Sequence, residues 1–357
     1  MSNHLFSPLK IRGMEIRNRI VMSPMQQYNS PEGIVGQWHL VHLGSRAVGG
    51  AGIVYSEATA VSPEARSTYD DAGIWNNDQM ESWKSIVSFL QEQGSKAVMQ
   101  LSHFGSKGSR SHPTKGWKYQ SPGDGGWQTV SSSAVAPFRG MAPPVALDHE
   151  GIEKVKSDFV NGARRAVKAG FDAVEIHAAH GYLFHQFYSL MVNQRDDEYG
   201  GSFENRIRLL IETVQAVRKE IPQQMPLFVR ISAVDYLDDE KAWQLEDSVK
   251  LTKVLKENGV DVVTASAGGF VFLDKSKVHP SYQVPFADSI KKETGILTGT
   301  VGMITDYEQA NEIIASDKAD LVVIAREYLR NPYFAINAAK ALEIETDIPW
   351  QYKRAYM

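Results

Sequence analysis

Two histidines and a tyrosine are the residues of this chain best suited to chemistry. His177, His180 and Tyr182 stand in the sequence His-Ala-Ala-His-Gly-Tyr, directly after the short apolar run 173–176. Imidazoles three positions apart can meet on one side of a helical turn. They suit a metal pair or a pair of hydrogen-bond donors to a substrate oxygen, and core histidines bonded to backbone are the ordinary alternative. The position after a strand favours a functional role.

A lone arginine, Arg230, lies inside the apolar sequence Pro-Leu-Phe-Val-Arg-Ile. A buried ion without a partner is strongly unfavourable, so this charge needs one. An internal salt bridge to Glu175 would satisfy it, and so would an electron-rich cofactor facing the guanidinium. Taken alone, the sequence leaves both interpretations open.

Two short turns follow later apolar runs, one at 298–302 (Thr-Gly-Thr-Val-Gly) and one at Ala325 and Arg326. Backbone N–H groups in such turns bind phosphate in parallel α/β barrels, and an arginine adds a forked donor. An ordinary tight turn is the alternative. Two such turns on adjacent strands favour a phosphate site.

Composition limits the chemistry that this chain can perform. It has no cysteine, which excludes disulfides, thiolate nucleophiles, thiolate zinc sites and cysteine-ligated iron–sulfur clusters. Redox chemistry would therefore need a bound cofactor. With 43% hydrophobic and 22% charged residues in 357, the chain can bury a large core.

Charge and hydropathy also bear on the partners of the protein. The net charge is −4 and the chain has no long basic run, which argues against a nucleic-acid partner. No apolar stretch approaches the roughly 18 residues that span a bilayer. The N-terminus lacks the apolar core of a signal peptide. We expect a cytoplasmic protein with no membrane partner.

The elements that must position these residues form a regular alternation. Eight short apolar runs occur at 19–22, 53–56, 97–101, 173–176, 227–231, 260–264, 296–298 and 321–324, with helical patterns between them. Ser202, Asp78 and Asp148 are expected to cap three of these helices. The pattern predicts an α/β fold, a (β/α)8 TIM barrel forming one domain over 1–357. A doubly wound sheet is the alternative, but its GxGxxG fingerprint is absent.

One connection interrupts this rhythm. Residues 105–147, after the third barrel strand, are rich in Gly, Ser and Pro and contain Trp117 and Trp127. Long loops in compact domains are usually functional or disordered. We expect a folded lid, such as a hairpin, over the barrel mouth.

A second polar segment, 193–206, is dense in charged residues. We interpret it as a loop that satisfies its own charges and leads into the helix after Ser202. No chemical role is assigned to Arg195, Asp196 or Glu198.

Taken in order, these segments resemble the Old Yellow Enzyme family of FMN-dependent ene reductases over essentially the full length. The resemblance is strongest to the bacterial, thermophilic-like branch. The matching segments are 18–25, 52–58, 98–103, 177–182, 195–206, 228–230 and 325–326.

The resemblance implies a role for each site residue. Those that would bind FMN are Ser23, Pro24, Met25, Ala58, Gln100, Arg230, Val301, Gly302, Ala325 and Arg326. Those that would bind the substrate are Tyr28, His177, His180 and Arg354. Tyr182 would be the proton donor, with His177 and His180 donating hydrogen bonds to the activating oxygen.

The resemblance also implies a reaction. NADPH or NADH would reduce FMN, and hydride would then pass from flavin N5 to the β carbon of an activated alkene such as an enone, maleimide or nitroalkene. The tail 348–357 would lend Arg354 to a neighbouring active site in a homodimer or homotetramer. A metal-dependent barrel hydrolase with Glu175, His177 and His180 as ligands is the alternative; otherwise no metal is expected.

Three positions depart from the family pattern. Gln26 occupies the place where members of this branch often carry a cysteine that tunes the flavin. The Gly-Arg expected after the third strand reads Gly-Ser at 105–106, followed by Lys107. Ala325 replaces a glycine and would put a methyl group near the phosphate.

Overall fold

The computed structural model describes residues 4–138, 140–271 and 275–356. Eight parallel strands close into a barrel in which each strand pairs with the next along the chain and the last pairs with the first. The barrel strands are β3 (Ile20–Met22), β4 (Ile53–Ala60), β5 (Lys96–Ser102), β8 (Ala173–Ala178), β9 (Leu227–Ser232), β10 (Val262–Ser266), β11 (Leu297–Thr300) and β12 (Leu321–Ile324). The predicted TIM barrel is confirmed.

Helices alternate with these strands and cover the barrel. They are α1 (Gln37–Val48), α2 (Asn77–Glu92), α3 (His149–Ala169), α4 (Leu183–Tyr188), α5 (Phe203–Glu220), α6 (Leu245–Glu257), α7 (Val284–Thr294), α8 (Tyr307–Ala315), α9 (Arg326–Arg330) and α10 (Phe334–Ala341). None of the helices in the described ranges has the length and apolar character needed to span a bilayer.

Side chains alternate between the two faces of each strand, so every second residue points into the barrel. Val98, Ala173 and Phe228 belong to a buried apolar cluster at the start of the barrel strands. The hairpin of β1 (Leu9–Ile11) and β2 (Met14–Ile16) packs on the same cluster and closes that end. The polar residues that follow in register, two and four positions later, therefore lie toward the opposite, carboxyl end.

Helix capping agrees with the sequence at two of three positions. The side chains of Ser202 and Asp148 accept hydrogen bonds from backbone N–H groups in the first turns of α5 and α3. The prediction for Asp78 is wrong, because Asn76 caps α2 and forms a reciprocal capping box with Gln79. Both residue types cap well and both have a Glu or Gln three positions later, so the local sequence does not choose between them.

The excursion at 105–147 is ordered, but it does not form the expected hairpin. Its strands β6 (Val130–Ser131) and β7 (Val145–Ala146) pair in parallel. Among the described residues of the excursion, antiparallel pairing is confined to an isolated bridge between Arg110 and Tyr119. Trp127 ties the excursion to the barrel by donating from its indole N–H to the Glu64 carbonyl, 3.1 Å away.

Candidate active site

The two histidines after β8 are hydrogen-bonded to each other. The amide N–H of Ala179 donates to Nδ1 of His177, so the proton of that imidazole lies on Nε2. Nε2 of His177 is 3.1 Å from Nδ1 of His180, and Nε2 of His180 is 2.7 Å from Oγ of Ser266. Burial, with the nearby Arg230 guanidinium, holds the pKa of both imidazoles well below the ordinary value. Both histidines are therefore neutral hydrogen-bond donors at neutral pH.

Tyr182 lies against this histidine pair at the start of α4. The centroid of its ring is 4.7 Å from that of His177 and 4.1 Å from that of Phe104. Burial raises the pKa of the Tyr182 phenol, with the negative charge of Asp71 adding to the effect. The hydroxyl therefore keeps its proton at neutral pH. His180, at φ 60°, is one of the few non-glycine residues in the left-handed region, a strain typical of functional sites.

A cavity of about 770 Å³ opens beside His180 and Tyr182. The excursion supplies most of its wall, and its other lining residues are Phe104, Lys107, Arg110, Trp117, Lys118, Tyr119, Phe138, Gly140, Met141, Gly269 and Val271. The excursion therefore lines the candidate site. Sequence reasoning missed the individual residues, although Lys107 stands at one of the departures from the family pattern.

Arg230 points into the same end of the barrel, but it does not form the salt bridge considered from the sequence. Its one hydrogen bond within the described residues is to Oγ of Ser23, at 3.0 Å, and its buried Nε has no partner there. Glu175 is instead satisfied by Gln100 at 2.7 Å and by the Tyr55 hydroxyl at 3.0 Å. Burial raises the pKa of Glu175 against the opposing effect of Arg230.

A second cavity, of about 310 Å³, runs from Arg230 to the turns after β11 and β12. Val301, Gly302, Ala325 and Arg326 line it. Gly302 has a φ of 116°, and a Cβ there would lie 3.0 Å from the Gln283 backbone nitrogen, so this turn of the cavity wall requires glycine. The side chain of Arg326 makes no ion pair within the described chain. These residues fit a phosphate-bearing cofactor.

The remaining predicted cofactor residues lie in or directly after barrel strands β3, β4 and β5. Pro24 and Met25 follow β3, and Ala58 follows an irregularity in β4 that places it beside Gln100 in register. The amide of Gln26 is buried with neither polar atom bonded within the described part of the chain. Such an orphaned group indicates a missing polar partner. The buried guanidinium of Arg230, the unpartnered amide of Gln26 and the glycine turn at Gly302 together fit FMN.

Two other predicted residues lie apart from this group. Tyr28 packs against Trp117 with 5.1 Å between ring centroids, so it contacts the lid. Arg354 is exposed and lines neither cavity in the single chain. The segment at 193–206 behaves as interpreted, since Arg195 pairs with Asp197.

The metal-site alternative finds no support in this geometry. Within the described ranges, the group of side chains close enough to share an ion is His149, Asp197 and Glu198, which lies near the surface. It includes neither His177 nor His180, whose facing nitrogens bond each other.

A TIM barrel with a buried guanidinium, neutral imidazole donors and a glycine turn lining a cavity at its carboxyl end fits the class of flavin-dependent oxidoreductases. Comparisons with known proteins agree. Residues 4–345 match the NADH:flavin oxidoreductase / NADH oxidase family. NADPH dehydrogenase from Listeria welshimeri is 44% identical over 354 residues, covering 99% of both chains. NADPH dehydrogenase from Bacillus subtilis is 42% identical over 358 residues, covering 100% of both.

Solved structures give the same result. Morphinone reductase has a TM-score of 0.76 and 27% identity over 97% of this chain and 91% of its own. Morphinone reductase in complex with tetrahydroNAD is similar, with a TM-score of 0.75. The chain belongs to the NADH:flavin oxidoreductase / NADH oxidase family, and the resemblance to Old Yellow Enzyme is confirmed. It is an FMN-dependent NAD(P)H oxidoreductase of that type.

Proposed function

We propose that this protein is an ene reductase that reduces activated C=C bonds of small molecules such as enones, maleimides and nitroalkenes. One observation carries the proposal. The 2.7 Å hydrogen bond between His180 and Ser266 joins the wall of the arginine-lined cavity to the wall of the aromatic cavity. One cavity suits a phosphorylated cofactor, and the adjoining one suits an apolar substrate with a polar group.

Bound FMN supplies the redox chemistry by accepting hydride from NADPH or NADH and donating hydride to the alkene. Arg230 has a buried, incompletely bonded guanidinium that would stabilise negative charge on the reduced flavin. Gly302, Ala325 and Arg326, with Val301 beside them, would hold the phosphate. The residues that would border the ring are Ser23, Pro24, Met25, Ala58 and Gln100.

The histidine pair binds the activating oxygen of the substrate. His177 and His180 are neutral and each carries a proton on Nε2, so both can donate without first being protonated. Negative charge grows on the substrate oxygen as the β carbon accepts hydride. Fixed donors at that oxygen therefore bind the transition state more tightly than the ground state and accelerate the step.

Tyr182 completes the reduction by delivering its hydroxyl proton to the α carbon. The β carbon has then gained hydride and the α carbon a proton, and the C=C bond has become a single bond. A phenol with a raised pKa holds this proton until the neighbouring carbon becomes basic. Tyr28, which packs on Trp117, would contact the substrate from the lid side.

The electron donor and the assembly are also part of the proposal. The relatives named NADPH dehydrogenase and the morphinone reductase structure in complex with tetrahydroNAD support a nicotinamide donor. We propose a homodimer or homotetramer in which the exposed Arg354 of one subunit reaches the site of another.

Anaerobic two-step stopped-flow spectroscopy tests this function. NADPH or NADH should bleach the flavin absorbance of the purified protein, and 2-cyclohexenone or N-phenylmaleimide should then restore it faster than buffer alone. A flavin that is bleached but is not reoxidised by any activated alkene would overturn the ene-reductase assignment and leave only the oxidoreductase.

A further inference from the structure

The larger cavity carries more positive charge than reduction of a neutral alkene requires. Three of its lining residues are basic, Lys107, Arg110 and Lys118, and none of its described lining residues is Asp or Glu. All three come from the excursion rather than from the barrel. The excursion therefore brings uncompensated positive charge to the place where the substrate would bind.

Lys107 is fixed close to the reacting groups. Its ammonium donates to the carbonyl of His180 at 2.7 Å and also to the carbonyl of Gly269. The nitrogen lies 5.8 Å from the ring centroid of Tyr182. Both hydrogen-bond partners are neutral, so they orient the ammonium without cancelling its charge.

Arg110 adds a second oriented cation. Its guanidinium donates to the carbonyls of Lys107 and Trp117, each at 3.2 Å, and lies 5.5 Å from the Trp117 ring centroid. It has no carboxylate partner within the described residues. Charges in a partly enclosed cavity are screened less than charges at an open surface, so two such cations attract an anion strongly.

Lys118 completes the group at the cavity rim. Its side chain is exposed and makes no ion pair with a described residue. Burial, with repulsion from Arg110, lowers the pKa of Lys107 to about 7. An anion that binds beside Lys107 therefore favours its protonated form near neutral pH.

The rest of the wall is aromatic and apolar, with Phe104, Trp117, Tyr119 and Phe138 among its residues. Such a wall suits a flat, apolar ligand body. We propose that the excursion selects activated alkenes that carry a carboxylate on an aromatic or apolar body, with the carboxylate bound by Arg110, Lys107 and Lys118. This inference rests on the proposed ene-reductase function and names its substrate class.

The test compares two alkenes that differ in one charge, N-(4-carboxyphenyl)maleimide and N-(4-carbamoylphenyl)maleimide. The chain has no cysteine for a maleimide to alkylate. The measured quantity is the ratio of kcat/KM for the acid to that for the amide in reoxidation of the reduced protein. We expect a ratio of about five or more, the size of one partly exposed ion pair, decreasing toward one at high ionic strength.

Three variants and one control locate the effect. Lys118→Gln removes an exposed charge at the rim, and Arg110→Gln removes an inner one. Both should lower the ratio, and Arg110→Lys should restore part of it. Lys115→Gln removes an exposed charge from the same loop that does not line this cavity, so the ratio should stay at the wild-type value.

The outcomes separate this inference from the function on which it rests. Equal reduction of the two maleimides by the wild type would overturn the inference alone. Reduction of neither would overturn the ene-reductase function as well. The 2′-phosphate of NADPH is the other anion that could bind there. If the variants slowed flavin reduction by NADPH but not by NADH, without changing the acid-to-amide ratio, the assignment to the substrate would be wrong.

Discussion

Nε2 of His177 lies 3.1 Å from Nδ1 of His180, so the first imidazole donates a hydrogen bond to the second. A substrate oxygen must compete with this contact and with the one from His180 to Ser266. Substrate binding therefore exchanges these two contacts for hydrogen bonds to the substrate oxygen, between groups that already lie side by side.

Replacing both histidines should weaken the binding of phenols, which stack on the flavin of such enzymes as phenolates. Each lost hydrogen bond to a charged oxygen contributes roughly 1.5–3 kcal/mol, so losing two in His177→Ala/His180→Ala should raise the Kd at least about a hundred-fold. The long-wavelength absorption band that forms on phenol titration measures it. Unchanged phenol affinity would show that the histidine pair does not bind the charged oxygen.

Tyr182→Phe should slow alkene reduction while leaving flavin reduction by the nicotinamide nearly unchanged. Loss of a general acid typically costs about 10²–10⁴ in rate, and only the oxidative half-reaction needs the proton. Stopped-flow measurement of the two half-reactions provides its own control. Equal losses in both would show that the hydroxyl is not the proton donor.

Gly302→Ala should weaken the retention of FMN. The φ of 116° is unfavourable for alanine, and the new methyl group would lie 3.0 Å from the Gln283 backbone nitrogen. Strain of about 1–3 kcal/mol corresponds to roughly a five- to hundred-fold rise in the FMN Kd. Gly36→Ala is the matched control, because Gly36 has a φ of −147° and open space around it. If Gly302→Ala retained FMN as the wild type does, the turn at Gly302 would not be part of the FMN site.

Gln26→Leu should change the stability of the apoprotein and of the FMN-bound protein differently. The buried Gln26 amide has no partner within the described residues, so leucine removes an unsatisfied group and should stabilise the apoprotein by about 1–3 kcal/mol. In the FMN-bound form, that gain should shrink or reverse. Gln27→Leu is the control, since the Gln27 amide already donates to the Met25 carbonyl and its loss should be destabilising. Urea unfolding of each variant with and without FMN measures these changes in stability. Equal gains for Gln26→Leu in the apoprotein and the FMN-bound protein would count against a contact between Gln26 and the cofactor.

The buried His42 should make the protein sensitive to acid. Burial, with Arg46 nearby, lowers the pKa of His42 to about 3. The unfolded chain takes up this proton near pH 6.5 and the folded chain does not, so stability falls as the pH drops from about 6.5 toward 3. This group alone accounts for about 2 kcal/mol between pH 7.5 and 5.

His42→Gln should therefore reduce the difference in unfolding free energy between those two pH values. His149→Gln is the control, because His149 is largely exposed and remains in solvent. Urea unfolding at pH 7.5 and 5.0 measures both variants. The assignment fails if the two substitutions change the pH dependence equally.

The barrel could be predicted because its signal is local. Each buried parallel strand is a short apolar run, and period-two alternation is enough to assign Glu175, His177 and Arg230 to the inner faces of their strands. Which partner Arg230 would find depended on distances across the barrel. Glu175 is bound by Gln100 and Tyr55 from other strands, and no local pattern encodes that arrangement.

The excursion was the part that sequence reasoning described least well. It has no repeating apolar pattern, and its two short strands, at 130–131 and 145–146, pair in parallel although they are separated in sequence. Lys107 and Arg110 therefore gave no signal of their own beyond the departure from the family's Gly-Arg. Their common cavity appears only once the fold brings 105–141 over Tyr182.

The way the excursion joins the barrel has a consequence for how this enzyme could change. Arg195 donates to the carbonyl of Ser132 at 3.0 Å and to that of Leu147 at 2.6 Å, so one guanidinium gathers two strands of the insert near its return to the barrel. We therefore expect changes in length and charge between Lys107 and Ser131 to have little effect on the histidine pair. The excursion could therefore be exchanged between relatives as one unit. Such an exchange should transfer substrate preference, while the residues of the barrel continue to support hydride transfer.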